Sequence, residues 1–202
     1  MSANDKQQQR MRGYFIDATK EILRGEGLKV VSARNIAAQA GYSYATLYNY
    51  FKDINSLVFE CVQDFQKEIE IQISSATAVA APGRDRIKAG LTAWVNYFVQ
   101  YPGIFELFFL ERMGDIGHKQ GTAEFIVNSI KPAITEGMRD LENNGIITPE
   151  RAKDLGEVFR YNITGLMLFY SNRRYPPDYP GLLKALNNQI SLILNMPDPG
   201  KY

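Results

Sequence analysis

The sequence contains a single cysteine and a single histidine among its 202 residues. One cysteine excludes an internal disulfide. One cysteine and one histidine also provide neither a cluster of metal ligands nor a supported Cys–His or Ser–His catalytic pair. No glycine-rich loop of the kind that binds phosphate is present. We therefore expect no metal site, no cofactor and no enzymatic activity.

Long apolar runs are also missing. The densest one, from Ile104 to Leu110, is interrupted by Glu106, whereas a membrane-spanning helix needs about 20 apolar residues in succession. The N-terminus lacks the apolar run of a signal peptide. Cys61 falls on an apolar helical stripe and is expected to be buried, and His118 lies in a glycine-rich loop. We expect a cytoplasmic protein that does not bind membranes.

The net charge of +1 favours no class of partner, but its distribution is uneven. Residues 1–52 contain eight Lys and Arg against four Asp and Glu, a net charge of +4, and the remainder contains 15 against 18. A basic N-terminal part on a slightly acidic body is typical of a DNA-binding module joined to a domain that does not bind DNA. Chance variation is the alternative explanation for the excess of positive charge in residues 1–52.

Apolar residues recur at helical spacing along almost the whole chain. We predict an all-α fold of about nine helices and no convincing strand. The predicted helices outside residues 32–51 cover residues 5–24, 53 to the mid-70s, 84–100, 104–113, 122–143, 148–172 and 181–195. Small residues from Ser74 to Gly83 predict a loop, and Pro132 predicts a kink or a late helix start.

Residues 32–51 predict a helix-turn-helix, which is two short helices joined by a tight turn. Ser32 is suited to cap the first helix, and Ser43 the second. Gly41 occupies the position where a left-handed backbone ends the first helix. Leu47 and Phe51, four residues apart, face the core. The rest of the second helix carries hydroxyl, amide and aromatic groups, which are suited to a DNA groove.

This segment resembles the DNA-binding signature of the TetR/AcrR repressors, and the resemblance extends from about residue 10 to residue 60. The matching residues are Gly41, Ser43, Thr46, Leu47, Tyr48, Tyr50 and Phe51. Tyr42 stands where the family usually has a small aliphatic residue, and Ile54 stands where a lysine is common. We expect Lys52 to replace the phosphate contact of that lysine.

The resemblance implies a DNA-binding domain at residues 1–52 and a helical ligand-binding and dimerisation domain at residues 53–202. Base-facing side chains specify the sequence, whereas phosphate contacts position the protein. The residues expected to face bases or nearby backbone are Arg34, Tyr44, Thr46 and Asn49. The residues expected to contact phosphates are Ser43, Tyr48, Tyr50 and Lys52.

The second domain is rich in aromatic residues, and the resemblance implies a small-molecule pocket there, apolar with a few polar groups. The residues expected to line the pocket are Trp94, Phe98, Phe105, Phe109, Phe125, Asn162 and Tyr170. The alternative is a solid aromatic core, which for any single residue is the more frequent outcome.

Each of the last two helices carries two apolar faces. One face contains Leu155, Phe159, Asn162, Leu166 and Phe169 on the first helix, with Leu183, Leu186, Ile190 and Ile193 on the second. The other contains Leu182, Leu192, Leu194, Val158 and Met167. The resemblance implies a four-helix interface between two copies, although both faces could serve the core of one protomer.

These features predict a dimeric, ligand-responsive transcriptional repressor that binds a pseudo-palindromic DNA site and is released by a small apolar effector. Two other classes stay open. One is a helical enzyme or carrier with a vestigial DNA-binding head, which specific, salt-dependent DNA binding would exclude. The other is a DNA binder controlled by a partner, which a body too densely packed for a pocket would favour.

Overall fold

The computed structural model describes residues 3–111, 122–172 and 174–197, which contain ten α-helices and no strand. The helices are α1 (Ala3–Gly25), α2 (Ala33–Ala40), α3 (Tyr44–Tyr48), α4 (Ile54–Ala78), α5 (Arg84–Gln100), α6 (Pro102–Phe109), α7 (Thr122–Val127), α8 (Lys131–Asn143), α9 (Pro149–Ser171) and α10 (Tyr179–Leu194). The all-α prediction is confirmed. The predicted loop at His118 lies outside the described residues.

The helix count exceeds the prediction by one because the helix expected over residues 122–143 is two helices, α7 and α8. Pro132 is the second residue of α8. N–H groups in the first turn of a helix have no acceptor within the helix, so a proline at this position removes no hydrogen bond. Of the two outcomes expected for this proline, the late helix start is the one observed. None of the helices in the described part of the chain is long and apolar enough to cross a membrane.

Polar side chains fix the helix starts. The backbone N–H of Ser56 donates to Asp53 Oδ1 at 2.6 Å, at the start of α4. The N–H of Arg151 donates to Thr148 Oγ1 at 3.1 Å, at the start of α9. Each cap satisfies a donor of the first helical turn that has no helical partner.

The predicted loop at residues 74–83 is wrong for its first five residues, because α4 continues to Ala78. Alanine is the strongest helix former, and Ser and Thr each cost less than about 1 kcal/mol relative to it, so these small residues do not end the helix. The hydroxyl of Thr77 donates to the carbonyl of Ser74 at 3.2 Å within the last turn. The chain leaves helical geometry only before Pro82 and Gly83, where Gly83 has a φ of +78°.

The apolar faces predicted for the last two helices are partly wrong. The buried row of α9 is Leu155, Phe159, Ile163 and Met167, and that of α10 is Leu182, Leu186, Ile190 and Ile193. Asn162 and Phe169, assigned to the core face, are exposed, and Met167 and Leu182, assigned to the second face, are buried. Both helices are apolar on two sides, so spacing alone could not select the inner row.

The chain forms two compact units. The first contains Met1–Glu68 and Gln100–Ile126, and the second contains Ile69–Val99 and Val127–Tyr202. Phe15, Leu47 and Phe65 are fully buried in the first unit, and Trp94 and Phe159 are fully buried in the second. A boundary between a DNA-binding domain and a ligand-binding domain at residues 52 and 53 stays a prediction.

Candidate nucleic-acid interface

Phe15 of α1 is the centre of an aromatic cluster that holds the helix-turn-helix. Its side chain is fully buried. Its ring centroid lies 5.6 Å from that of Tyr42, 6.0 Å from Tyr50 and 6.5 Å from Phe51. Aromatic rings at such distances contribute beyond the burial of their surface. The cluster therefore fixes both the turn before α3 and the segment after it against α1.

The predicted caps of the helix-turn-helix are confirmed. Ser32 Oγ accepts from the N–H of Asn35 at 3.2 Å, and Ser43 Oγ accepts from the N–H of Thr46 at 3.2 Å. Gly41 ends α2 with a φ of +77°, a conformation that is unfavourable for residues with a Cβ. These local signals set where α2 ends and where α3 begins.

Helix α3 has a buried side and an exposed side. Leu47 is fully buried and Phe51 nearly so, as predicted, whereas Tyr44 and Tyr48 are 63% and 50% exposed. Large aromatic side chains at this exposure are available to a partner without unfolding the head. Their phenol groups can both donate and accept hydrogen bonds.

The other predicted DNA contacts differ in exposure. Arg34 on α2 is exposed, as are Asn49 and Lys52 after α3, and Thr46 and Tyr50 are half-buried. The hydroxyls of Ser43 and Thr46 lie 2.9 Å apart and bond to each other. Ser43 also caps α3, and its contact with a phosphate stays a prediction.

Arg12 supports the segment after α3, and the sequence analysis did not identify this role. Its guanidinium donates to the carbonyl of Tyr50, pairs with Glu60 and lies 4.2 Å from the ring centroid of Phe51. These partners are 38 to 48 residues away in sequence. An arginine on a helix carries no signal of such partners, so only the structure could reveal the contact.

The cations in the second half of α1 are also used within the first unit. Lys20 Nζ lies 2.7 Å from Glu68 Oε1, and Arg24 Nη2 donates to both carboxylate oxygens of Glu68 at 2.8 and 2.7 Å. Charge-assisted hydrogen bonds of this kind are stronger than neutral ones, and they also fix the relative orientation of the two side chains. They join α1 to the first part of α4 rather than adding to a surface for DNA.

The residues predicted to line an effector pocket lie in both compact units, and their side chains differ in burial. Trp94 and Phe98 are buried together in the second unit, with ring centroids 4.7 Å apart. Phe105 is buried in the first unit, 5.0 Å from the half-buried Phe109. The remaining three are the exposed Phe125 and Asn162 and the half-buried Tyr170. Their role in binding an effector stays a prediction.

Cys61 is fully buried, as expected for a small apolar side chain. Burial raises the pKa of its thiol far above the ordinary value, because a thiolate would lose its hydration. The thiol lies 3.8 Å from the carbonyl oxygen of Ile16. A thiol held neutral in this way is a poor nucleophile. Among the described residues, no group of three or more His, Cys, Asp or Glu is placed to hold a metal ion.

One family model matches the part of the chain that contains the helix-turn-helix. Residues 15–61 match the family model of bacterial regulatory proteins, tetR family. This segment contains all of α2 and α3 together with parts of α1 and α4. No functionally curated protein matches the chain by sequence.

Solved structures share the fold of the chain. A TetR family transcription regulator from Marinobacter aquaeolei VT8 is 16% identical, covers 93% of this chain and 97% of its own, and has a TM-score of 0.65. A tetR-family regulator from Streptomyces coelicolor is 16% identical, with coverages of 96% and 80% and a TM-score of 0.68. FadR from Bacillus subtilis, solved in complex with stearoyl-CoA, is 14% identical, with coverages of 90% and 97% and a TM-score of 0.67. At these identities the likeness establishes the fold.

Proposed function

We propose that this chain, which matches the tetR family of bacterial regulatory proteins over residues 15–61 and has the fold of TetR-family regulators, is a dimeric transcriptional repressor. One observation carries the proposal. Helix α3 is capped by Ser43 and anchored by the buried Leu47, and it presents Tyr44 and Tyr48 to solvent. A short anchored helix with exposed polar aromatic groups fits a DNA major groove.

Two heads of a symmetric dimer would contact two half-sites in successive major grooves, so the DNA site would be pseudo-palindromic. A small apolar effector would release the DNA by favouring a state in which the heads no longer match the half-site spacing. The extent of release is set by the difference in effector affinity between the two states. Such a regulator would act on DNA in the cytoplasm.

Selection of bound duplexes from a random pool tests this function. We expect enrichment of two inverted half-sites whose centres are about one helical turn, or a multiple of it, apart. A Tyr44→Ala/Tyr48→Ala variant serves as a control, because it removes exposed side chains and leaves Leu47 in place. Absence of enrichment with the unmodified protein would contradict the proposal.

The split between base and phosphate contacts predicts different effects of substitutions in the head. Arg34→Ala and Asn49→Ala should each cost about 1–3 kcal/mol at one position of the site and relax the preference there. Tyr48→Phe and Tyr50→Phe should weaken binding to all sites alike, because phosphates carry no sequence information. Phenylalanine retains the packing of the Tyr50 ring on Phe15, so that change tests the hydroxyl alone.

Competition binding against a panel of singly mutated sites provides the measurement. Lys67→Ala is the control, because Lys67 is exposed on α4 and its ammonium group pairs with Asp64 of the same helix. If the tyrosine variants changed site preference and the Arg34 and Asn49 variants did not, the assigned roles would be reversed.

The dimer proposal rests on an apolar band along the exposed side of α9. Tyr161, Leu168 and Phe169 are 70%, 38% and 54% exposed. Gly165 lies between them at helical spacing, and a Cβ built on it has no neighbour within 4 Å. Exposed apolar bands of this kind mark contact surfaces, and a glycine in the band allows another helix to approach closely.

Gly165→Leu should weaken the dimer about tenfold or more, because overpacking of a helix contact costs about 1–3 kcal/mol. The isolated protomer has open space at this position, so its folding should not suffer. Sedimentation equilibrium over a range of protein concentrations measures the dissociation constant.

Gly13→Leu is a matched control, because Gly13 is also a helical glycine with no neighbour within 4 Å of an added Cβ. Its dimer should dissociate as the unmodified protein does. Equal dissociation constants for the two variants, or a stable monomer of the unmodified protein at micromolar concentration, would exclude this interface.

For the effector we propose an apolar molecule that is flat or carries an acyl chain. The buried Trp94–Phe98 pair, and separately the contact of the buried Phe105 with the half-buried Phe109, support this chemistry, and the FadR relative was solved with stearoyl-CoA. Long-chain acyl-CoA and a flat aromatic compound of similar hydrophobicity are therefore the first probes for release of bound DNA. Release by neither would leave control by a partner protein as the favoured alternative.

A further inference from the structure

A cleft of about 440 Å³ opens on the surface of the first unit, between the N-terminal half of α1 and the turn before α3. Its lining residues are Lys6, Gln7, Arg10, Met11, Tyr14 and Tyr42. None of them is acidic, and none belongs to the predicted DNA-contacting set. The cleft is therefore a basic and aromatic surface with no assigned role.

Tyr42 forms one wall of the cleft. Its ring stacks on that of Tyr14, with centroids 6.1 Å apart and planes inclined by 22°, and it also contacts the ring of the buried Phe15. Both tyrosines remain about 40% exposed, at 39% for Tyr42 and 44% for Tyr14. The small aliphatic residue that the TetR/AcrR pattern usually has at this position could not form the stack. The wall is thus a feature of this sequence.

Two cations of the cleft are not neutralised within the described part of the protein. Arg12, Lys20 and Arg24 are each paired with a carboxylate of the first unit. Lys6 and Arg10 are exposed, and the described residues form no ion pair with either of them. Two unneutralised cations beside two phenols form a surface that is complementary to an anion.

We propose that this cleft binds the phosphate backbone of duplex DNA, next to the segment that α3 contacts. The inference rests on the proposed DNA-binding function. Tyr42 directly precedes Ser43, the cap of α3, so the cleft borders the recognition helix. Lysine and arginine side chains and phenol hydroxyls donate hydrogen bonds that phosphate oxygens accept. A duplex supplies a continuous row of such oxygens, with one charge per about 1.7 Å of axis.

The test compares full-length Lys6→Ala/Arg10→Ala with Lys29→Ala/Lys67→Ala on the selected DNA site over a range of salt concentrations. Lys29 and Lys67 have side chains that are 86% and 70% exposed in the same unit but outside the cleft. The two variants therefore lose the same charge. The cleft variant should reduce the slope of log affinity against log salt by about 2 for each bound head.

The affinity of the cleft variant at about 0.1 M salt should fall about 10- to 100-fold per head. The control variant should show little change in slope, and both should retain the unmodified preference for sequence. Lys6→Arg/Arg10→Lys preserves both charges and should restore the slope. Because all four residues are exposed, circular dichroism should show the same helical content in each variant.

Phosphate-ethylation interference locates the contact directly. The unmodified protein should be blocked by ethylation of phosphates flanking the base-contacting segment, and the cleft variant should be insensitive at those phosphates. Equal slopes for the cleft and control variants would overturn the cleft proposal while leaving DNA binding intact. If the unmodified protein binds no specific duplex, the proposed function and this inference both fail.

Discussion

Gly90→Ala should lower the free energy of unfolding by about 3 kcal/mol or more, the largest effect that we expect from adding one methyl group to this protein. A Cβ at Gly90 of α5 would lie 2.1 Å from the carbonyl oxygen of Ala133 on α8 and 2.8 Å from its carbonyl carbon. Carbon and oxygen atoms that are not bonded to each other cannot approach this closely. The neighbouring atoms belong to the backbone, so no side chain can rotate to relieve the clash.

The same helix pair is close at a second point, which makes relief by separation costly. A Cβ at Gly137 of α8 would lie 2.5 Å from Ile87 Cγ1 and 2.7 Å from the carbonyl oxygen of Gly83. Asp140 Oδ2 adds polar contacts, accepting from the N–H of Gly83 at 2.9 Å and from Arg86 at 2.7 Å. Moving α5 away from α8 would strain these contacts together.

Urea unfolding followed by circular dichroism measures this effect, with Gly156→Ala as the matched control. A Cβ at Gly156 of α9 would lie 3.6 Å from Ile134 Cδ1, an ordinary van der Waals contact. Alanine also favours helix over glycine by up to about 1 kcal/mol, so the control should be unchanged or more stable. Equal stability of the two variants would show that α5 and α8 are not closely packed at Gly90.

Local chemistry explains which parts of the fold the sequence predicted well. The caps at Ser32 and Ser43 act within three residues along the chain. The left-handed turn at Gly41 likewise depends only on its own backbone. Such signals are fully contained in a short segment, and for this reason both ends of α2 and the start of α3 were predicted correctly. The end of the second helix was wrong, because Phe51 was expected within it, whereas α3 ends at Tyr48.

Features that depend on distant partners were not predictable. The close approach of Gly90 to Ala133 joins residues 43 positions apart, and no spacing rule indicates it. On α9, two apolar rows competed for the core, and only packing selected Ile163 and Met167 over Asn162 and Phe169. The candidate DNA interface shows the same division, because helical spacing predicted that Leu47 is buried but gave no indication of Arg12 or of the Tyr14–Tyr42 stack.

Trp94→Ala should lower the free energy of unfolding by about 3–5 kcal/mol. Trp94 is fully buried in α5, with its ring centroid 4.7 Å from that of Phe98 in an edge-to-face arrangement. Its Nε1–H donates to Ser129 Oγ at 3.4 Å, and Ser129 is also buried. Alanine would leave a large cavity and would remove a partner from a buried hydroxyl, and both changes are destabilising.

Phe125→Ala is the comparison for Trp94→Ala, because Phe125 is the most exposed of the predicted aromatic pocket residues, at 42%. Its loss should cost less than about 1 kcal/mol, since much of its surface stays in water in the folded protein. Thermal melts of both variants, measured beside an assay of DNA release by acyl-CoA, separate packing from effector binding. A Trp94→Ala protein that melts like the unmodified one but no longer responds to effector would place Trp94 in a pocket wall. Large destabilisation of Trp94→Ala, with an intact response to effector in Trp94→Phe, would place it in a core that supports the pocket without contacting the ligand.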